Sequence, residues 1–134
     1  MLRLSKRVEY GLIALRHFAE INDRSVCTAK EISQTYNIPH ELLAKVLQKL
    51  AQAHIIQSYK GVRGGYVLKH DPATIKISDV IHAIEHEKPM LAECYADGPE
   101  SCMIFDDCTI RRPLGKIQRN INNFFHTMTI AEIV

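Results

Sequence analysis

The stretch that decides the fold is residues 28–50, TAKEISQTYNIPHELLAKVLQKL. It opens with a capping box, in which Thr28 and Glu31 can each satisfy the other's unpaired backbone amide at a helix start. The short helix should end near Tyr36, and Ile38-Pro39 then opens another helix, since proline is tolerated at the first helical position. The buried stripe of this second helix consists of Leu43, Val46, Leu47 and Leu50. The stretch therefore predicts two helices joined by a tight turn.

A longer helix precedes this pair and a β-hairpin follows it. Ser5 is a good N-cap, and apolar residues recur on one helical face up to about Ile21. Residues 55–59 and 66–70 are short, rich in β-branched and aromatic residues, and separated by a glycine-containing turn, which predicts a hairpin. A further helix should begin with Ser78 as its cap. Helix, short helix, helix and hairpin is the order of a winged helix-turn-helix, so we predict a mainly α fold with a small β-hairpin wing.

The C-terminal part has a different pattern. Residues 87–107 show no helical or strand period, so we expect a long loop. An apolar heptad seam follows, which predicts a long helix. The seam consists of Ile110, Leu114, Ile117, Ile121, Phe124 and Met128. It can pack on its own domain or against a second copy, and its position after a long loop favours a homodimer. Thr129 and Glu132 form a second capping box, before a last short helical turn.

The net charge of +2 conceals an asymmetry. Residues 1–70 hold eleven Lys/Arg against five Asp/Glu, whereas residues 71–134 hold six against ten. A basic half favours binding to a polyanion, because each neutralised phosphate releases counterions.

No apolar run approaches the roughly 20 residues that span a bilayer, and no signal-peptide pattern is seen, so we expect a cytoplasmic protein without a membrane partner. No nucleotide-binding glycine motif, Ser/His/Asp arrangement or paired carboxylates appear, which predicts neither an enzyme nor a small-molecule substrate.

The predicted partner is double-stranded DNA. The third helix of such a fold fits the major groove, and a narrow hairpin can reach an adjacent minor groove. The groove-facing residues are predicted to be Pro39, His40, Glu41, Ala44 and Lys45. The wing contributes Lys60, Arg63, Gly64 and Gly65. Phosphate contacts are predicted for Arg3, Ser5, Lys6, Arg7, Lys30 and Lys49. Taken singly, each cation is more often a solvated surface residue; the pattern as a whole favours DNA binding.

Three of the four cysteines, Cys94, Cys102 and Cys108, fall within fifteen residues. Their spacing lacks the Cys-x2-Cys pairs of structural zinc sites. A disulfide leaves one thiol over and is disfavoured in a reducing cytosol. Three thiolates on a loop suit an iron–sulfur cluster (2Fe-2S or 4Fe-4S), which takes soft anionic ligands. The alternative is a cluster-free regulator that senses oxidants by disulfide formation. Cys27 stands apart and is interpreted as a small core hydrophobe.

The whole chain resembles the winged-helix iron–sulfur transcriptional regulators typified by IscR and by the nitric-oxide sensor NsrR. The resemblance rests on the order and spacing of short motifs over essentially the full length. These are Leu4-Ser5, Glu9-Tyr10-Gly11, Lys60-Gly61, Gly64-Gly65-Tyr66, Ile77-Ser-Asp-Val80, the three cysteines and the ending Thr129-Ile-Ala-Glu-Ile-Val134. It implies a homodimeric repressor or activator, dimerised through the long C-terminal helix, whose operator binding follows nitric oxide, redox state or iron–sulfur status.

Departures from the family pattern bear on the fourth cluster ligand. IscR-type members use a histidine three residues after the last cysteine, where this chain has Arg111, which cannot ligate iron. NsrR-type members take an acidic side chain from the first helix of the partner subunit, and the matching position is Glu9, which could instead be solvent-facing or paired beside Arg7. The further candidates are His86, Asp106 and Asp107.

Ala44 replaces the acidic residue with which IscR-type proteins distinguish two operator classes, which argues against a dual operator code.

These observations divide the chain into three regions. Residues 1–85 are predicted to be a winged helix-turn-helix DNA-binding domain. Residues 86–108 are predicted to be a cysteine-bearing, cluster-binding loop. Residues 109–134 are predicted to be a dimerisation helix and C-terminal tail.

Overall fold

The computed structural model describes residues 2–21, 25–87 and 89–134. In chain order its elements are α1 (Lys6–Ile21), α2 (Ala29–Tyr36), α3 (His40–Gln52), β1 (Ile56–Tyr59), β2 (Gly65–Leu68), a 3-10 turn (Pro72–Thr74), α4 (Ile77–Glu85), α5 (Glu93–Ala96), a 3-10 turn (Pro99–Ser101), α6 (Arg111–Thr127) and a 3-10 turn (Ile130–Ile133). Strands β1 and β2 are antiparallel, with Ile56 opposite Leu68 and Tyr59 opposite Gly65. The mainly α fold with a hairpin wing is confirmed. None of the helices in the described ranges has the length and apolar character needed to span a membrane.

The helix-turn-helix forms for the local reasons that its sequence suggests. Thr28 Oγ1 accepts from the Glu31 amide at 3.1 Å, and the Glu31 carboxylate accepts from the Thr28 amide at 3.2 Å. Asn37 ends α2 in the left-handed conformation, with a φ of 55°. Pro39 is the N-cap of α3 rather than its first helical residue, a displacement of one position. The capping box and the tight turn are thus confirmed.

The hydrophobic core lies where α1, α3 and α4 meet. The four leucine and valine residues of the predicted α3 stripe are all buried, as are Leu15 of α1 and Ile84 of α4. A Cβ atom at Gly11 would lie 2.5 Å from Ile84 Cδ1, so a larger residue there would force the end of the Ile84 side chain to move. Helix α3 therefore packs on two helices that are themselves in close contact.

Two local expectations are corrected. Ser78 does not cap α4, because the helix begins at Ile77 and Lys76 is the residue before it; the Asp79 carboxylate accepts from the Lys76 amide at 3.1 Å. The segment expected to be a long loop without helix or strand contains α5 and the 3-10 turn at Pro99–Ser101. A single helical turn is too short to leave a period in the sequence, so neither was visible there.

The C-terminal tail returns to the first domain. The Ile77 amide donates to the Met128 carbonyl at 2.9 Å, and the Ile130 amide donates to the Ile75 carbonyl at 2.9 Å. The Ile130 side chain is completely buried in the same core as α1 and α4. The predicted capping box is confirmed, since the Thr129 amide donates to the Glu132 carboxylate at 2.7 Å. The tail thus completes the core of residues 1–85, which the division by sequence did not anticipate.

Candidate nucleic-acid interface and cysteine loop

Helix α3 presents one face to solvent and the opposite face to the core. Pro39, His40, Glu41 and Lys45 are exposed and Ala44 is half-buried, so the predicted groove-facing residues lie together at the start of the helix. Leu42 is also exposed there, at 39%. Sequence analysis missed it because Leu42 and Leu43 are adjacent leucines, and only one of the two can face the core. An exposed leucine on this face can make apolar contact with a thymine methyl group.

The wing carries exposed cations on a narrow turn. Lys60 and Arg63 are both exposed at its tip. Gly65 has a φ of +151°, and a Cβ atom there would lie 2.7 Å from the Cys27 carbonyl oxygen. A Cβ atom at Gly64 would lie 2.5 Å from the Tyr59 carbonyl oxygen. Gly64 therefore keeps the hairpin turn narrow, and Gly65 lets β2 pack closely against Cys27.

Cys27 joins the wing to the helical body. Its amide donates to the Tyr66 carbonyl at 2.9 Å and its carbonyl accepts from the Tyr66 amide at 2.8 Å. The Cys27 side chain is buried, which confirms the interpretation as a core residue, and its sulfur lies 3.9 Å from His17 Nε2. Strand β2 of the wing is thus paired with the segment before α2 as well as with β1.

The predicted phosphate-contacting residues fall into two groups. Arg3, Lys6, Arg7 and Lys30 are exposed. Lys6 Nζ forms an ion pair with Glu9 Oε2 at 2.7 Å, and this hydrogen bond raises the pKa of Lys6.

Ser5 and Lys49 form the second group, because their polar atoms bind the C-terminal end of α4. Lys49 Nζ donates to the Ile84 carbonyl oxygen at 2.9 Å. Ser5 Oγ donates to Glu85 Oε1 at 2.5 Å and accepts from the Val8 amide at 3.3 Å, which caps α1 as predicted.

The cysteine loop, residues 89–108, is attached to α6 near both of its ends. Gln118 of α6 is buried; its Nε2 donates to the Pro89 carbonyl at 2.6 Å and its Oε1 accepts from the Leu91 amide at 2.8 Å. The Tyr95 hydroxyl donates to the Arg111 carbonyl. Arg111 Nη1 in turn donates to the Phe105 carbonyl at 2.9 Å, and its guanidinium lies 4.1 Å from the centre of the Phe105 ring.

The three clustered thiols are carried by this loop without being gathered into a ligand set. Cys94 lies in α5, Cys102 follows the 3-10 turn and Cys108 precedes α6; all three are half-buried and none is in a disulfide. Within residues 2–21, 25–87 and 89–134, no three His, Cys, Asp or Glu side chains are placed to hold a metal ion together. Cysteine thiolates are nevertheless the donors that iron–sulfur clusters take.

Helix α6 leaves an apolar stripe exposed. Ile110, just before the helix, Ile117 and Phe124 are each about half exposed, at 56%, 48% and 57%. Leu114 and Ile121 lie between them and are half-buried. Met128, the last residue of the predicted seam, lies beyond the end of α6 and packs against the core of its own chain. Five of the six seam residues therefore form one surface, from which Met128 turns away.

Known proteins resemble this chain over nearly its full length. The model of the family described as Rrf2, iron-dependent transcriptional regulator, matches residues 4–134. An HTH-type transcriptional regulator of Aquifex aeolicus is 33% identical over 136 residues, covering 97% of this chain and 90% of that protein. The regulator NsrR of Oceanobacillus iheyensis is 29% identical over 115 residues, covering 86% and 78%. The structure of CymR, the global cysteine regulator of B. subtilis, superposes with a TM-score of 0.75 at 23% identity, covering 99% of this chain and 96% of that one.

These matches confirm the family resemblance and the prediction of a regulator rather than an enzyme. The family model includes α3, the wing, the cysteine loop and α6 within one continuous match. The chain therefore belongs to the Rrf2 family of DNA-binding transcriptional regulators.

Proposed function

We propose that this protein is a homodimeric transcriptional regulator whose operator binding is controlled by an iron–sulfur cluster on residues 86–108. The observation that carries the proposal is the cysteine loop itself. It holds Cys94, Cys102 and Cys108 half-buried and is bound to α6 through Gln118 and Arg111. The family's description as iron-dependent supports the same assignment. Such a regulator acts in the cytoplasm, on DNA.

The DNA contacts divide between α3 and the wing. We place the exposed start of α3 in the major groove, where His40, Glu41 and Lys45 face base edges and Leu42 offers an apolar contact. Lys60 and Arg63 of the wing approach the adjacent minor groove or its phosphates. The exposed cations Arg3, Lys6 and Lys30 supply further phosphate contacts.

The exposed stripe on α6 is the proposed dimer interface. Full burial of an exposed apolar side chain gains about 1.5–3 kcal/mol, and these side chains, already about half buried, gain roughly half of that each. Five of them against five others still make a substantial interface. A heptad seam favours pairing with a second copy of the same helix. Each apolar side chain of one helix then packs into the gap between four side chains of the other. The resulting twofold symmetry presents two recognition helices to half-sites on one face of the DNA.

The proposed cluster ligands are the three loop cysteines and the partner subunit's Glu9. The cluster supplies a metal centre that reacts with nitric oxide or oxidants. Glu9 is paired with Lys6 within one chain, and the exposed position of this pair means that little opposes its opening. Because the loop is bound to α6, a change in the loop changes how the two subunits meet. Coupling of this kind typically alters affinity about 5–150-fold.

Reconstitution tests the cluster. Protein purified without oxygen and supplied with iron and sulfide is expected to show visible charge-transfer absorption and bound iron. Cys102→Ala should lose both, whereas Cys27→Ala, which removes the core cysteine, should keep both. Wild-type protein without absorption or iron, or Cys102→Ala behaving as wild type, would contradict the proposal.

A cluster-free thiol sensor is the second candidate. Its support is that the single chain leaves the three loop thiols apart from any shared metal-binding group in the described residues. The structural likeness to a global cysteine regulator, CymR, is compatible with it. This candidate predicts protein without iron that forms a disulfide within residues 94–108 on treatment with peroxide, detected as a loss of two mass units.

A further inference from the structure

Lys49 makes an internal contact at the end of α4. Its ammonium donates to the Ile84 carbonyl oxygen at 2.9 Å, and the Lys49 side chain is half-buried. Ile84 belongs to the last turn of α4, which ends at Glu85, with His86 in the left-handed conformation. Carbonyls in a last helical turn have no partner within the helix, and a cation there also offsets the negative end of the helix dipole. Lys49 is therefore placed to bind the end of α4.

Two other features hold the same helix end. Ser5 Oγ, at the start of α1, donates to Glu85 Oε1 at 2.5 Å. Gly11 allows α1 to approach the Ile84 side chain directly. A few residues further on, the Pro89 carbonyl accepts from Gln118 of α6. The end of α4 is thus the point at which α1, the recognition helix and the beginning of the cysteine loop are joined.

We propose that Lys49 is a positioning residue for DNA recognition: by binding the end of α4 it fixes the orientation of α3, and it does not contact phosphate. This replaces the phosphate contact expected from the sequence, and it rests on the proposed placement of α3 in the major groove. Lys49 lies near the C-terminal end of α3, whereas the groove-facing residues lie at the N-terminal end. A small rotation of the helix at Lys49 therefore displaces the base-contacting residues.

The dependence of DNA affinity on salt separates this role from a phosphate contact. Each phosphate contact adds about 0.9 to the slope of log K against log salt. Loss of a positioning residue lowers the affinity for a specific sequence and leaves the slope unchanged. A residue that contributes to stability alone lowers the thermal midpoint without changing the affinity of the folded protein.

The test compares Lys49→Met, which keeps the aliphatic stem, with Lys49→Arg and with the wing variant Lys60→Met. The probes are a duplex selected from a random-sequence library by the wild-type protein and a duplex of scrambled sequence. We expect Lys49→Met to bind the selected duplex about tenfold more weakly with an unchanged salt slope, equivalent to losing one base contact. Lys49→Arg should restore the affinity. Lys60→Met should lower the slope by about 1.8 on both duplexes, because each subunit of the dimer loses one phosphate contact.

Two outcomes overturn the inference: a lower salt slope for Lys49→Met, or unchanged affinity at a temperature where the variant is folded. If Lys60→Met leaves the slope unchanged, the proposed DNA surface is wrong instead.

A measurement on the wild-type protein needs no variant. With trace acetylation read by mass spectrometry, Lys49 should react more slowly than Lys60 in the free protein, and DNA should protect only Lys60. Fast acetylation of Lys49 that DNA suppresses would identify a phosphate contact.

Discussion

The side-chain nitrogen Nε2 of Gln118 donates to the carbonyl oxygen of Pro89 at 2.6 Å, which links the start of the cysteine loop to the middle of α6. The same side chain accepts from the Leu91 amide at 2.8 Å. A buried amide that pairs with both a donor and an acceptor of the loop fixes the loop's path as well as its attachment. The link between the loop and the proposed dimer helix therefore exists in the protein itself, before any cluster is considered.

Gln118→Met tests this link. It leaves the Pro89 carbonyl and the Leu91 amide without their partner, so we expect a loss of about 1–3 kcal/mol in the free energy of unfolding. Faster amide exchange should be seen at Leu91. Gln34→Met, at an exposed position of α2, is the matched control and should change stability by less than about 0.5 kcal/mol. Unchanged exchange at Leu91 would show that Gln118 does not hold the loop.

Ile117→Lys tests the dimer interface. Ile117 is 48% exposed in the single chain, so the substitution should leave the fold intact while placing a charge in the proposed interface. We expect the dimer dissociation constant to rise about 100-fold or more, measured by sedimentation equilibrium. Asn120→Lys, an exposed residue outside the seam, is the control. A dimer that tolerates Ile117→Lys as well as Asn120→Lys would place the interface elsewhere.

Ile130→Ala tests the role of the C-terminal tail. Ile130 is completely buried, so the cavity should cost about 2–5 kcal/mol in urea unfolding. The half-buried Ile133 should cost less on the same substitution. A fragment of residues 1–85 lacks Ile130 altogether and should fold poorly. A stable fragment with native-like spectra would mean that the tail is dispensable.

Gly65→Ala and Gly61→Ala form a matched pair in the wing. Both glycines have positive φ, at +151° and +110°, but only at Gly65 would a Cβ atom meet backbone, 2.7 Å from the Cys27 carbonyl oxygen. Gly61→Ala should lower the free energy of unfolding by about 1 kcal/mol through backbone strain. Gly65→Ala should lower it by more, because β2 must also move away from Cys27. Thermal unfolding of the two variants provides the comparison. Equal losses would contradict a role for close packing at Gly65.

Arg63→Ala tests the placement of the wing on DNA. Removal of one phosphate contact from each subunit of the dimer should weaken binding and lower the salt slope by about 1.8. Lys69→Ala, which removes an exposed cation from the other end of β2, should leave the slope unchanged. Titrations of labelled duplex at several salt concentrations measure both quantities. If the two variants give the same slope, the wing tip does not contact phosphate.

The sequence by itself determined the local structure and the chemistry of the chain. The capping box at Thr28, the end of α2 near Tyr36 and the buried stripe of α3 depend on residues within about four positions of each other, and such signals are visible without a structure. The clustered cysteines and the heptad seam are also patterns of residues close together in the sequence, and they are visible without a structure. Short helical turns such as α5 were not predicted from the sequence, because one turn is too short to show a helical period.

Only the tertiary structure decided which distant groups meet. Lys49 has the side chain of a phosphate ligand, yet its partner is a carbonyl 35 positions away in the chain. Gln118, an ordinary polar residue in the sequence, is buried against a loop that begins 29 positions earlier. The side chain of Ile130 completes a core whose other buried residues lie 46 or more positions earlier in the chain. Such pairings are set by the packing of whole helices, and no local pattern of side chains encodes them, because the same residue types serve equally well on a solvated surface.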